Sequence, residues 1–486
     1  MSRPDVVYQV YPRSFMDTTG TGVGDLDGVT ARLDHLAWLG VGAVWLSPIH
    51  PSPGVDGGYD VADYRDVDAC FGGLPAFDRL LTAAHERGIR VLLDWVPNHT
   101  SAAHPWFVSS RTDPTGPHGD WYWWADEPAN NWRSAFGGPA WTFDPVRGQY
   151  YLHLFTPAQP DLNWNRQGVR TAMLDGLRFW LDRGVDGFRA DVVNLIGRDP
   201  ALPDHVYTDP ADLDELVGSY RDPRTHGLLR QIRAVLDSYP GQRFLVGEVP
   251  LADQSAVASY VDERQLHAAF DFSLMEAPWS AEEWRSRIAR GGAAPAWVLS
   301  SHDQPRHRTR HGDREDRARV AATVLLTANG TPFVYAGEEF GLGDAVIPES
   351  RRRDPLGRDG SRAPVPWTPA PGHGWASADP WLPWPPEAAH RNAETLRADE
   401  TSILWLYRRL IALRRDLDGG LTVLDSPREV LAYRRGRHTV LANFADHPVR
   451  APYRGRVVLT SGPAGPADGV LAPCTAVVLD DVTGPA

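Results

Sequence analysis

Short apolar runs and helix-like segments alternate along most of this chain. The apolar runs end at Phe15, Pro48, Trp95, Val193, Val249, Leu274, Leu299 and Tyr335. Helical periodicity predicts helices over residues 28–39, 75–87, 167–183, 226–239, 254–262, 281–290, 313–329 and 400–417. Several of these helices stop just before Gly40, Gly88, Gly184 or Gly330, and glycine is the usual residue at a helix end. Strands that alternate with helices in this way predict an α/β protein with a (β/α)8 TIM barrel.

Two regions depart from the alternation and predict further domains. Residues 100–165 are rich in Trp, Pro, Asp and Gly without helical periodicity. A connection of that length predicts an inserted subdomain B after the third strand. Residues 421–486 contain short runs such as VLAYRR, separated by Gly and Pro, which predict a C-terminal all-β sandwich domain. The barrel is then assigned to residues 1–99 and 166–420.

Composition excludes several classes of partner. The chain has 486 residues, 42% of them hydrophobic, and a formal net charge of -13, which disfavours nucleic acid and anionic membranes. No apolar run approaches the ~20 residues of a membrane span, and the amino-terminal residues do not resemble a secretory signal. With only two cysteines, a disulfide framework is excluded. We expect a cytoplasmic protein that is a monomer or a small homo-oligomer.

The stretch VDGFRADVVN combines a buried strand with two charges. Arg189 and Asp191 are two residues apart, so in a strand they project from the same face. Burying a charge pair is costly and often does not recover its desolvation energy. A functional role for the pair is therefore favoured over a structural one.

Polar residues also follow the other apolar runs, where the functional groups of such barrels collect. At these ends stand Tyr59, Asp60, Asp94, Asn98, His99, Arg189, Asp191, Glu248, His302 and Asp303. Each residue alone suits a structural role. Together, at the ends of successive strands, they predict an active site at one rim of the barrel.

These motifs resemble the α-amylase family of glycoside hydrolases, and within it the α-glucosidase and oligo-1,6-glucosidase branch. DWVPNH, GFRADVVN, GEV and SSHD stand in the family's order across the barrel. QPDLNW at 159–164 resembles a segment that marks the branch, and RDGSRAPVPW at 358–367 resembles its arginine-bearing loop. The resemblance extends over essentially the full chain.

The resemblance implies a retaining mechanism that agrees with the chemistry of the residues. Retaining glycosidases use two carboxyls about 5–5.5 Å apart, one as nucleophile and one as acid. Asp191 is the expected nucleophile, with Arg189 holding its pKa down. Glu248 follows the apolar run FLVG, which should raise its pKa as a general acid requires. The resemblance makes Asp303 the third carboxylate, which binds sugar hydroxyls near the transition state.

The resemblance also implies a closed pocket for one terminal glucose. Asp60 and Arg362 match a pair that clamps that glucose, and His99 and His302 would donate to its hydroxyls. The remaining substrate-binding candidates are Tyr59 under the sugar, Phe136 and Phe155 at its side, and Val192 near the leaving-group sugar. In the branch, valine at this last position accompanies acceptance of α-1,6 linkages. The expected substrate is a short α-1,4- or α-1,6-linked gluco-oligosaccharide, cut from its non-reducing end.

Two departures from the family pattern concern supporting groups. The first loop keeps Asp17 and Asp25 of a metal-binding pattern, but Thr19 and Thr21 stand between them. This change removes charged oxygen ligands, so a Ca²⁺ or Mg²⁺ ion there would be weak at best, and we expect no cofactor for catalysis. Ser301 replaces a common asparagine before His-Asp.

Two other functions remain on the same scaffold. A transglycosylase or isomerase, such as a trehalose synthase or sucrose isomerase, needs only to exclude water from the covalent intermediate. A non-catalytic relative, like the transporter heavy chains, is disfavoured by the intact carboxylates. The sequence does not separate hydrolysis from transfer.

Overall fold

The barrel predicted from the alternation is present. The structure is a computed structural model that describes residues 4–207, 221–251, 253–291, 295–462 and 469–485. Within these residues, parallel strands close a barrel in which each strand neighbours the next in the chain and the first neighbours the last. The strands, β1–β8, are Val7–Val10, Ala43–Leu46, Arg90–Trp95, Gly187–Ala190, Phe244–Gly247, Ala268–Asp271, Pro295–Val298 and Thr331–Tyr335.

Helices separate the strands largely where periodicity predicts them. The longer ones are Leu26–Ala31, Leu33–Leu39, Gly73–Glu86, Gln167–Arg183, Arg224–Asp237, Ala281–Arg290, Glu315–Thr327, Ala393–Ala398 and Ile403–Arg414. Shorter α-helices are Gln254–Ala258, Ser273–Glu276 and His307–Arg310. Single 3-10 turns are Pro12–Ser14, Ala69–Phe71, Val193–Leu195, Glu338–Phe340, Glu349–Arg351 and Arg358–Gly360. Gly40 and Gly184 end their helices in the left-handed conformation, at φ 96° and 106°.

The inserted region after β3 contains a helix that its sequence did not predict. Helix Pro105–Thr112 begins with a proline and buries few residues, so its periodicity is weak. A three-stranded antiparallel sheet follows, formed by Trp124–Ala125, Trp141–Asp144 and Gln149–Leu152. Trp123, Trp132 and Trp141 pack in one buried cluster beside the sheet, so these tryptophans form a core.

The carboxyl-terminal region is all-β, as predicted. Its five-stranded sheet has the order Leu421–Val423, Val430–Arg435, His438–Asn443, Ala476–Pro485, Tyr453–Thr460. A second sheet pairs Val449–Arg450 with Val470–Leu471. Apolar side chains from both sheets form one buried cluster.

The chain divides into two compact units. The first contains Trp45–Leu81 and Val91–Phe270, and the second contains the described parts of Arg3–Val44, Thr82–Arg90 and Asp271–Ala486. The predicted site residues fall into both units. No helix in the described part of the chain is long and apolar enough to cross a membrane.

Candidate active site

The guanidinium of Arg189 lies at the centre of a carboxyl cluster in the first unit. In the strand register, Arg189 of β4 lies opposite Asp94 of β3. Its Nη1 donates to Asp94 Oδ1 at 2.8 Å and to Asp191 Oδ1 at 2.6 Å. Its Nη2 donates to Glu248 Oε2 at 2.6 Å. Arg189 is 2% exposed, so three carboxyls share one buried cation.

The backbone at the end of β4 bends sharply after Asp191. Val192 has φ 33° and ψ 42°, a left-handed conformation that is strained for a β-branched residue. Its N–H donates to Glu248 Oε2 at 3.3 Å. The N–H of Glu248 donates to the Ala190 carbonyl at 2.8 Å. Main-chain hydrogen bonds therefore hold the ends of β4 and β5 together beside the two carboxyls.

Asp94 accepts hydrogen bonds from three neighbours in this cluster. Trp45 Nε1 donates to its Oδ2 at 3.1 Å, and the Tyr59 hydroxyl donates to the same oxygen at 3.0 Å. Burial raises the pKa of Asp94 to about 6, although the Arg189 guanidinium opposes the rise. Asp94 thus orients Tyr59 and Arg189 around the cluster.

The pKa of Asp191 does not behave as the sequence predicts. Burial raises the pKa of Asp191 well above its ordinary value, and the charges of Glu248 and Asp94 add to the rise. Arg189 opposes it without cancelling it. Three carboxyls share one guanidinium, so at Asp191 burial and the neighbouring carboxylates outweigh the attraction of Arg189.

A second polar group in the same unit joins His99 to Asp56. Gln159 Nε2 donates to Asp56 Oδ2 at 3.1 Å and lies 3.1 Å from His99 Nε2. Burial lowers the pKa of His99 to about 3, so the ring is neutral near pH 7. Phe155 packs against His99 with ring centroids 5.0 Å apart, and Phe136 lies 6.3 Å from Phe155. The predicted aromatic side of the pocket is therefore grouped with His99.

Asp60 is buried, and its carboxylate is hydrogen-bonded within its own loop. It is 0% exposed. Its carboxylate accepts from the Ser52 hydroxyl at 2.7 Å and from the N–H groups of Val55 and Asp56 at 3.1 and 3.2 Å. These bonds fix the loop that carries Asp56. The sequence did not single out Asp56 and Gln159, which join His99 in the polar group.

The segment 159–164 is tied to the end of β3 by a buried ion pair that the sequence did not reveal. Arg198 Nη2 lies 2.5 Å from Asp161 Oδ2, and both side chains are at most 1% exposed. Asn98 donates to Asp161 at 3.1 Å and accepts from Arg198 at 2.6 Å. Burial raises the pKa of Asp161 to about 6. This network positions Asn98 and, next to it, His99.

In the second unit, His302 and Asp303 follow β7 and contact two arginines. His302 Nε2 lies 3.0 Å from Asp303 Oδ2, and Gln9 Nε2 lies 2.8 Å from His302 Nδ1. Arg358 and Arg362 donate to Asp303 Oδ1 at 2.8 and 3.1 Å. The Asp303 side chain is 33% exposed, so it remains open to a ligand.

The two arginines differ in the exposed fraction of their side chains. Arg362 is 3% exposed, and its Nε donates to the His302 carbonyl at 2.7 Å. The Arg358 side chain is 15% exposed. Arg362 therefore supports the backbone under Asp303, whereas Arg358, which the sequence did not single out, is the more accessible cation. Ser301 accepts the Asp303 N–H at 3.1 Å and stabilises this turn.

The first barrel loop does not fit a metal ion. The carboxylates of Asp17 and Asp25 accept hydrogen bonds from nearby main-chain N–H groups. These belong to Thr19, Gly20 and Gly22 for Asp17, and to Thr18 and Gly28 for Asp25. Donors therefore occupy positions where a cation would bind. Among the described residues, no group of three His, Cys, Asp or Glu side chains could hold an ion.

Comparisons with known proteins show which family this chain belongs to. Residues 9–419 match the family model described as alpha amylase, catalytic domain. The chain is 40% identical to a probable alpha-glucosidase of Rhizobium meliloti (strain 1021), over 85% of this chain and 82% of that protein. It is 37% identical to an oligo-1,6-glucosidase of Parageobacillus thermoglucosidasius, over 85% and 83%. The crystal structure of an alpha-glucosyl transfer enzyme, XgtA, superposes with a TM-score of 0.91 at 37% identity, over 98% of this chain and 100% of that chain.

Proposed function

The chain belongs to the α-amylase family and is a glycoside hydrolase of the α-glucosidase type, and on that premise we propose that it is a retaining, exo-acting α-glucosidase. Its proposed substrates are short α-1,4- and α-1,6-linked gluco-oligosaccharides, from which it releases the non-reducing glucose. The observation that carries the proposal is the shared guanidinium: Arg189 holds Asp191 and Glu248 on adjacent nitrogens, each at 2.6 Å.

Asp191 and Glu248 suit the two roles of a double displacement. In the first step, an Asp191 oxygen bonds to the anomeric carbon while the bond to the leaving oxygen breaks and Glu248 gives that oxygen a proton. In the second step, Glu248 takes a proton from water, whose oxygen displaces Asp191. The Glu248 side chain is 16% exposed and that of Asp191 9%, consistent with a solvent-reaching acid and a more enclosed nucleophile.

The raised pKa of Asp191 and the three carboxyls around Arg189 bear on the start of this reaction. The reaction needs one protonated and one ionised carboxyl, and burial of three carboxyls around Arg189 favours such a mixed state. Tyr59, held by Asp94, supplies the ring proposed to lie under the sugar. From the family resemblance, Asp303 is proposed to bind sugar hydroxyls.

We propose Asp56 and Arg358, beside the Asp60 and Arg362 of the family resemblance, as further contacts of the terminal glucose. Asp56 is 7% exposed and bonded to Gln159 beside His99, whereas the oxygens of Asp60 already accept three hydrogen bonds. Arg358 is the more accessible arginine on Asp303. Exo-action predicts glucose as the released product and a slow loss of viscosity in starch solution.

Azide rescue tests the assignment of roles. Asp191→Gly should lose nearly all activity and, with an activated α-glucoside and azide, form the β-glucosyl azide, because azide replaces the nucleophile. Glu248→Ala should instead form the α-glucosyl azide, because azide replaces the deprotonated water after the glucosyl-enzyme forms. The opposite anomers would exchange the two roles, and no rescue in either variant would reject the mechanism.

Glucosyl transfer is the second candidate, because the superposed XgtA is named as an alpha-glucosyl transfer enzyme. Transfer requires only that a sugar hydroxyl replaces water in the second step. Incubation with maltose, isomaltose, sucrose and trehalose separates the two functions. Free glucose as the main early product supports hydrolysis, whereas new oligosaccharides or isomers formed before glucose accumulates support transfer or isomerisation.

A further inference from the structure

A groove of about 620 Å³ lies in the first unit and takes no part in the carboxyl cluster. Four elements line it: the segments 62–65 and 104–106, the indole of Trp121, and the start of helix Gln167–Arg183. Its volume is in the ~300–1,000 Å³ range of small-molecule sites. None of the residues described at the active site lines it.

One wall of the groove is aromatic. Trp106 and Trp121 meet edge to face with ring centroids 5.0 Å apart, and Tyr64 stacks on Trp106 at 5.9 Å with planes 26° apart. Both tryptophans are partly exposed. The Tyr64 hydroxyl donates to the carbonyl oxygens of Val96 and His99, so this wall is fixed to the end of β3. Fixed, partly exposed indole faces are suited to the apolar face of a ring-shaped ligand.

Helix Gln167–Arg183 contributes several small side chains to the lining of the groove. Gly168, Thr171 and Ala172 lie on the face of helix Gln167–Arg183 that lines the groove. A Cβ atom at Gly168 would lie 2.9 Å from the Trp121 ring. The glycine therefore lets the Trp121 indole lie close against the helix.

A buried polar side chain also lines the groove. His104 is 4% exposed, and its Nδ1 accepts the N–H of Trp106 at 3.1 Å. Burial lowers the pKa of His104 to about 3, so near pH 7 the ring is neutral and Nε2 carries the proton. Nε2 has no hydrogen-bond partner among the described residues, which leaves one donor for a ligand oxygen.

The charges that line the groove select against anions. Asp63 and Asp175 contribute two carboxylates, and Arg65 contributes one guanidinium. Carboxylates accept hydrogen bonds from hydroxyl groups but repel phosphates. With Gln167 and Thr171, the groove offers both donors and acceptors beside flat aromatic faces.

We propose that this groove is a second saccharide site, which binds a neutral gluco-oligosaccharide by stacking on Trp106 and Trp121. The ligand class rests on the proposed function, but binding there needs neither Asp191 nor Glu248. The site holds the oligosaccharide at the enzyme surface outside the catalytic cluster.

The test uses ¹⁹F NMR of the full chain labelled with 5-fluorotryptophan, in the Asp191→Asn background so that no sugar is consumed. Trp106→Phe and Trp121→Phe assign the two resonances. We expect both to shift in a saturable way with maltotriose, with a Kd of about millimolar order. Glucose 6-phosphate and tetramethylammonium should leave them unchanged. No shift with maltotriose, or an equal shift with either ion, would overturn the proposal.

Gly168→Ala is the sharper variant, because alanine suits a helix but displaces the Trp121 ring. It should weaken maltotriose binding at the groove at least about tenfold. Trp38→Ala, at a partly exposed tryptophan of the second unit, should not change that binding. On the Asp191-containing enzyme, Gly168→Ala should leave kcat/KM for maltose unchanged. Unaltered binding in this variant contradicts the site, whereas an inactive wild type with intact groove binding contradicts only the catalytic proposal.

Discussion

Asp94 lies directly opposite Arg189 in the paired strands β3 and β4, and a 2.8 Å hydrogen bond joins their side chains. These side chains are 0% and 3% exposed. Asp94 therefore competes with Asp191 and Glu248 for one cation at short range, where charges interact strongly. We propose Asp94 as a positioning residue whose charge affects the protonation of the two carboxyls of the proposed mechanism.

Asp94→Asn should shift the pH dependence of hydrolysis toward lower pH. Loss of one negative charge lowers the pKa of the remaining carboxyls, so both limbs of the kcat/KM profile should move down by about one unit. A loss of about tenfold in the maximum is expected from the altered position of Arg189. Kinetics from pH 4 to 9 measure this. Asp34→Asn, at a side chain that is 82% exposed, is the control, and unmoved limbs in Asp94→Asn would contradict the coupling.

Asp56→Asn should lower mainly activity, whereas Asp60→Asn should lower mainly stability. Asp56→Asn removes the charge proposed to bind the terminal glucose, so kcat/KM should fall at least about tenfold while Tm changes little. Asp60→Asn disturbs three hydrogen bonds to a buried carboxylate and should cost about 1–3 kcal/mol of unfolding free energy. Thermal unfolding and kinetics on maltose are measured on both variants. If Asp60→Asn is stable but inactive, Asp60 itself binds the sugar.

Val192→Thr should change the preference between linkages. A hydroxyl beside the nucleophile can bond to a 1,4-linked acceptor, so the ratio of kcat/KM for maltose to that for isomaltose should rise about three- to tenfold. Val192 also packs with Leu195 and the tryptophans of the inserted region, so a small loss of Tm is expected. The control is Val193→Thr, at a neighbour that is 0% exposed, which should lower Tm without changing the ratio. An unchanged ratio in Val192→Thr would leave this side chain with a packing role alone.

Treatment with EDTA should change neither activity nor Tm. The carboxylates of Asp17 and Asp25 already accept main-chain N–H groups, and an ion that binds weakly stabilises little. The measurement is thermal unfolding after dialysis against EDTA, with and without added Ca²⁺. A fall of several degrees that Ca²⁺ reverses would show that the loop rearranges to bind metal.

Glu338 should make the protein less stable as pH rises toward 8. It is 1% exposed, and burial raises its pKa to about 8, against about 4.3 in an unfolded chain. Between these values the folded state holds a proton that the unfolded state releases, so the free energy of unfolding falls with increasing pH. His307, 3.9 Å away, has a pKa lowered well below its ordinary value by burial and gives the opposite slope only below about pH 6.5.

Glu338→Gln should remove the fall in stability between pH 6.5 and 8, where His307 contributes little. The slope lost is at most about 1.4 kcal/mol per pH unit. Urea unfolding at several pH values measures it, with Glu349→Gln, at a side chain that is 91% exposed, as the control. Equal slopes in wild type and Glu338→Gln would mean that Glu338 is ionised in the folded protein.

The barrel and its main carboxyls could be predicted because they depend on local signals. Each strand is a short apolar run. A glycine such as Gly184 marks the end of a helix shortly before the next strand begins. Asp191 and Glu248 directly follow such runs, so the sequence alone predicts that they lie at strand ends. The helix Pro105–Thr112 was missed because a short helix with few buried residues has weak periodicity.

Contacts between distant segments could not be predicted in the same way. Asp56 and Asp60 are separated by Gly57 and Gly58, whose φ values of 60° and 109° break the alternation from which side-chain direction is read. The ion pair Arg198–Asp161 joins residues that are 37 positions apart in the sequence. No local sequence pattern predicts this pair. The pKa of Asp191 depends on how many carboxyls share Arg189, which only the assembled strands determine.

At the left-handed turn, Val192 contributes its side chain and its main-chain N–H to different tasks. The side chain is proposed to affect substrate choice, and the N–H contacts Glu248. That contact does not depend on which side chain the residue carries. Directed evolution can therefore sample side chains at this position to alter substrate choice, while the bond between nucleophile strand and acid stays in place. Glycine and asparagine, which adopt this backbone conformation most readily, extend the useful library beyond apolar residues. On the proposed mechanism, position 192 thus joins a candidate specificity side chain to a main-chain contact that a substitution can leave in place.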